Sequence, residues 1–131
     1  MRILRVAIAV LLIAVAFVYG APSHAETAEE MLCACRPISQ AKVSDGRIDL
    51  PQSFDAGSCW GAFAALHQAM MLVESDGKPS LHVCLPEDST RTQLIAVFVR
   101  YVEKHVEVYP KNFAVVALNA ELEAFPCKKT P

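Results

Sequence analysis

All five cysteines of this 131-residue chain lie between positions 33 and 127: Cys33, Cys35, Cys59, Cys84 and Cys127. No other feature constrains the fold as much, because what cysteines do depends on the compartment. In a reducing cytosol such a set reads as metal ligands or reactive thiols; in an exported protein it reads first as disulfides. An odd number leaves one thiol over, or one bridge to a second chain.

The N-terminus points to export. Arg2 and Arg5 make a short positive segment, and Val6 to Val18 is apolar without a charge. Residues 19–23 (YGAPS) break any helix, and Ser23-His24-Ala25 offers small residues where a signal peptidase reads. This is the anatomy of a secretory signal peptide. A membrane anchor would need about 20 apolar residues, and this run is shorter. No cysteine follows it directly, so a lipoprotein is not expected. The expectation is a cleaved leader over 1–25 and a single exported domain over 26–131, with no membrane attachment once cleaved.

Composition changes meaning once the leader is set aside. The 53% hydrophobic content includes it. Arg2 and Arg5 leave with it, so ten of the twelve basic residues remain against fourteen acidic ones, a formal charge of −4. A mildly acidic domain without a basic cluster is a poor nucleic-acid binder. Residues 26–131 suffice for one core, yet a domain of that size gains much from cross-links.

Four helices are predicted. Thr27 and Glu30 fit a capping box for a first helix through Met31, Leu32 and Cys35, stopped by Pro37. Residues 38–52 read as irregular, with Asp45-Gly46 as a turn signal and room for a short strand pair at 42–50. Ser53 caps a second helix whose Cys59, Phe63, Leu66, Met70 and Val73 share one face, with Gly77 and Pro79 ending it. Thr90 and Gln93 form another capping box for a third helix, with Leu94, Val97, Phe98, Tyr101 and Val102 inward. Pro110 suits the first turn of a fourth, lined by Phe113, Val116, Ala117 and Ala120. Four amphipathic segments with short links and no alternating strand pattern argue an all-α, disulfide-braced bundle.

That layout suggests a pairing. Cys84 precedes the third helix and Cys127 follows the fourth, so antiparallel packing brings them to one end. The chain-entropy model gives roughly 4 kcal/mol for that loop. A bridge from Cys59 to Cys35 or Cys33 would pin the first helix to the second, and is worth roughly 3.5 kcal/mol on the same model. The expected set is Cys35–Cys59 and Cys84–Cys127, with Cys33 over.

The stretch CLPEDSTRTQL, a hydrophobic helix ending RYVEKH and an Ala/Val-rich helix closing on AFPC resemble the Tai/Rap family of type VI secretion amidase immunity proteins. The matched positions are Cys84, Pro86, Thr90, Gln93, Leu94, Tyr101, His105, Ala117, Leu118, Phe125, Pro126 and Cys127, with Met31, Leu32, Cys35, Cys59 and Gly61 upstream. The chain departs from the pattern at Ala62 and Ala65, where the family carries an aromatic residue and a second glycine. It departs again at Val106, where proline is usual, and in the extra Cys33. The resemblance implies a small periplasmic helical homodimer that binds a peptidoglycan amidase delivered by neighbouring cells and occludes its active site. Binding of that kind needs a complementary surface and a rigid scaffold, with no cofactor.

Candidate recognition residues follow from loop placement, since a loop on a stapled scaffold is the commonest place for recognition. The link after the second helix carries Asp76, Lys78, Ser80 and His82. The link before the fourth carries Tyr109, a residue type enriched at binding hot spots. The competing reading of both links is a plain connector, and His67 reads as a core or interface histidine. Met31, Cys33 and Cys35 invite a soft copper(I) site, but residues two apart on a helix do not face each other, and export favours oxidation. No catalytic constellation is present: no Cys-x-x-Cys, His-Glu-x-x-His, nucleophile elbow or phosphate loop. Glu121 and Glu123 read as solvated. Two other classes stand beside the inhibitor: an envelope stress or holdase-type binding protein, and an orphan structural relative.

Overall fold

The computed structural model describes residues 26–128; the expected leader lies outside the described residues. Helix α1 spans Ala28–Ser39, α2 Phe54–Met70, α3 Arg91–Lys104 and α4 Phe113–Ala124. A two-stranded antiparallel pair, β1 (Val43–Ser44) and β2 (Arg47–Ile48), lies between α1 and α2, and a 3-10 turn at Val106–Val108 precedes α4. Disulfides join Cys35 to Cys59 and Cys84 to Cys127.

Local chemistry sets the helix starts. At α1 the Thr27 Oγ1 accepts from the Glu30 N–H at 3.3 Å while the Glu30 carboxylate accepts from the Thr27 N–H at 2.8 Å. Thr90 and Gln93 repeat this at α3, and Ser53 caps α2. Each cap satisfies N–H groups that no helix turn can reach. The hairpin tip, Asp45 and Gly46, has φ of 52° and 72°, the left-handed pair that a two-residue type I′ turn requires.

The core gathers around α3, with buried side chains from α1, α2 and α4. Phe63, Phe98 and Phe113 form a triangle of rings with centroids 5.3–5.6 Å apart. Helix α3 is central, buried along Leu94, Ile95, Val97, Phe98, Val99 and Val102. Ile95 and Val99 are buried as well, beyond the predicted stripe, and α1 packs against α3 as a further neighbour. From the flank, Arg91 lies 4.4 Å over the Trp60 ring and ties the start of α3 to α2.

Four expectations are corrected. Pro37 does not end the first helix, which runs to Ser39. Ile38 is buried one residue on, the neighbouring turn is fixed by the Cys35 bridge, and Ser39 Oγ donates to the Arg36 carbonyl at 2.8 Å. Tertiary anchoring therefore outweighs the local cost of proline in a last turn. The second helix stops at Met70, and Val73 is 64% exposed instead of core. Pro110 lies outside the fourth helix, whose cap is Asn112, its Oδ1 accepting from the Val115 N–H. Finally, Glu121 is buried instead of solvated.

Candidate functional site

Beyond Met70 the chain folds back into a small hairpin. The Ser80 N–H donates to the Leu72 carbonyl at 2.9 Å and the Glu74 N–H to the Lys78 carbonyl at 2.8 Å, with Val73 facing Pro79. The tip closes through Gly77, whose N–H donates to the Glu74 carbonyl at 2.9 Å. Gly77 adopts φ 81°, so its glycine serves a turn and not a helix end. Asp76 completes the tip by accepting from the Lys78 backbone N–H at 3.0 Å and from the Lys78 ammonium at 2.6 Å. The Lys78 side-chain bond first, then its backbone bond, hold the Asp76 carboxyl below its usual range. The tip thus presents a fixed ion pair in open solvent, where such a pair contributes little stability.

The root of the hairpin is apolar and uncovered. Met71, Leu72 and Val73 are 62–64% exposed and consecutive. Every residue from Met71 to Lys78 is exposed, and Pro79 and Ser80 are half-buried. His82, next along, has φ 57°, a left-handed conformation that costs a non-glycine residue roughly 1–2 kcal/mol. The neighbouring chain holds it there. Val83 pairs with Pro126, the Cys84 N–H donates to the Phe125 carbonyl, and Cys84 is bridged to Cys127. The Cys127 sulfur lies 3.2 Å from the His82 carbonyl oxygen; being bridged, it has no proton to donate, so this is a close contact and not a hydrogen bond. The segment 71–82 is therefore an exposed excursion with its own hydrogen bonds and a covalently anchored foot.

Of the sequence-predicted residues, Asp76, Lys78, Ser80 and His82 share this excursion, while Tyr109 does not. Tyr109 lies before α4, its carbonyl accepting from the Glu29 N–H, and its ring packs against the core cluster. His82 is anchored beyond the other end of α4, a 12-residue helix and so about 18 Å long. His67 is half-buried in the last turn of α2. Cys35 is spent in its bridge, so the Cys33/Cys35 pair offers no dithiol, and no group of three or more metal-ligating side chains occurs among the described residues.

Sequence reasoning missed two surface features. One is the Met71-Leu72-Val73 root; its signal was present, since Met71 and Leu72 fall outside the Cys59/Phe63/Leu66/Met70 stripe. The other is Phe54, 88% exposed at the first position of α2, five residues ahead of Cys59 and off the same stripe. It borders a cleft of about 570 Å³ lined also by Glu26, Glu29, Cys33 and Asp55.

A family model of the Rap1a immunity proteins matches residues 27–127, a span that takes in all four helices and both bridges. The chain belongs to the Rap1a immunity family. No curated protein and no solved structure matches it. Membership in the Rap1a family makes this an immunity protein of the type VI effector class, whose work is to bind a secreted effector. No described helix is long and apolar enough to cross a membrane.

Proposed function

We propose that this Rap1a protein is exported by its N-terminal leader, works in the periplasm as domain 26–131, and occludes a type VI secreted peptidoglycan amidase through the 71–82 excursion. The observation that carries the reading is that excursion: an apolar root and a charged tip, both exposed, on a foot fixed by Cys84–Cys127. A preorganised loop loses little conformational freedom on binding, so more of its contact energy appears as affinity. The residues of the leader support export, as do the bridges, which persist in oxidising compartments. An inhibitor of a wall-degrading enzyme has to meet it where the wall is. The resemblance to the Tai/Rap family adds the amidase as target and a homodimer as working form.

The test is recovery of partners on the bridged 26–131 domain from the periplasm of its own organism, read by mass spectrometry. One wall amidase at stoichiometric yield is expected. Leu72→Asp is expected to weaken that capture by roughly 30-fold, the size of a binding hot spot of about 2 kcal/mol. Capture of many unrelated unfolded chains would instead make the protein a holdase. Undiminished capture by Leu72→Asp would move the contact elsewhere on the surface.

A further inference from the structure

Glu121 is completely buried, and neither carboxyl oxygen has a hydrogen-bond partner among the described residues. It stands at i+8 from Phe113 and i+4 from Ala117, on the face of α4 that enters the bundle. Its backbone is part of the structure around the second bridge: the Phe125 N–H donates to the Glu121 carbonyl at 2.8 Å, and the Phe125 carbonyl receives the Cys84 N–H. Native interiors seldom keep a polar side chain without a partner, and an ionised carboxylate in such a place is costlier still.

The charged groups on the packed elements do not supply a counter-ion within hydrogen-bond reach. On α1, which packs against α4, Glu29 is exposed, Glu30 caps Thr27, and Arg36 is held by Glu103 at 3.0 Å. On α3, Arg91 lies on Trp60, Lys104 is exposed, and Arg100 is exposed but near enough for its charge to bear on the carboxyl. Glu87 and Asp88 before α3, and Glu123 on α4 itself, are exposed acids. Burial is the larger influence and the Arg100 charge opposes it, so the carboxyl is pushed up to about 8.

We propose that Glu121 is a proton-operated latch: protonated, it lets α4 close against the bundle, and deprotonated, it loosens that closure and the 84–127 end joined to it. The sign follows from linkage. A buried acid that binds its proton more tightly in the folded state than in the unfolded one stabilises the fold fully below the unfolded value. That contribution fades as pH rises and is gone above the folded value. The domain is therefore tightest in acid and slackens between about pH 4.5 and pH 8.

The experiment compares thermal unfolding of the 26–131 domain with that of Glu121→Gln from pH 5 to pH 9. Both carry Cys33→Ser, so that a free thiolate does not reshuffle the bridges at high pH. Glutamine keeps the shape and removes the titration. The wild-type Tm is expected to fall by roughly 15 °C more than that of Glu121→Gln across this range, taking about 4 °C per kcal/mol for a domain of this size. Parallel curves would overturn the proposal. Should Glu121→Gln not fold, the carboxyl resonance of Glu121 decides by NMR: a midpoint above pH 7 supports the latch, and one in the ordinary glutamate range refutes it.

Discussion

Replacing Cys84 and Cys127 together with serine is expected to lower stability by about 4 kcal/mol, read as the urea midpoint of the 26–131 domain. The bridge spans 43 residues, and in the chain-entropy model its effect comes from the freedom it removes from the unfolded chain. It also has local work in the folded state. It fixes the end of α4 to the segment entering α3, and with it the Val83–Pro126 pairing and the Cys84–Phe125 hydrogen bond. Against a usual domain stability of about 5–15 kcal/mol, this loss is a large fraction. The 71–82 excursion would lose its foot as well, so partner capture is expected to weaken more than the drop in folded population explains. A midpoint change worth less than about 1 kcal/mol would mean that the two helices hold this end without covalent help.

Phe98→Ala is expected to cost about 3–5 kcal/mol in the same measurement. Phe98 is completely buried on the central helix, with ring centroids 5.6 Å from Phe63 and 5.3 Å from Phe113. Truncation removes the buried area and both ring contacts, and the facing side chains come from two other helices that cannot both move in. Phe54→Ala supplies the control, since Phe54 is 88% exposed; a change within about 0.5 kcal/mol is expected there. A small effect at Phe98, equal to that at Phe54, would place the core elsewhere. Phe63→Ala combined with Phe98→Ala should be non-additive, because each removes part of the same contact.

How much of this was legible in the sequence follows the range of the forces involved. The capping boxes at Thr27–Glu30 and Thr90–Gln93 are local chemistry, and the structure forms both. The inward positions Leu94, Val97, Phe98, Phe113, Val116 and Ala117 follow from helical period alone. What the sequence misplaced was decided at longer range. Pro37 stays helical because Ile38 and the Cys35 bridge secure the turn around it. Val73 leaves the helical stripe because Asp76, Gly77 and Lys78 close a tighter turn that draws the chain back. Glu121 is a charged residue type at a core-facing position; its period matched Phe113 and Ala117, and residue type masked it. The candidate site was legible as a loop through Asp76, Lys78, Ser80 and His82. Its apolar root was not, because exposure of Met71 to Val73 depends on where α2 stops.

The proposed silencing of a cell-wall amidase by this Rap1a protein is tested most directly by hydrolysis of purified peptidoglycan by the type VI amidase of the same organism. The bridged 26–131 domain is titrated into the enzyme and release of cleaved stem peptide is followed. The expected result is loss of activity that is complete near one domain per enzyme, with Leu72→Asp needing a large excess. Undiminished hydrolysis at tenfold excess of the folded, bridged domain would contradict it.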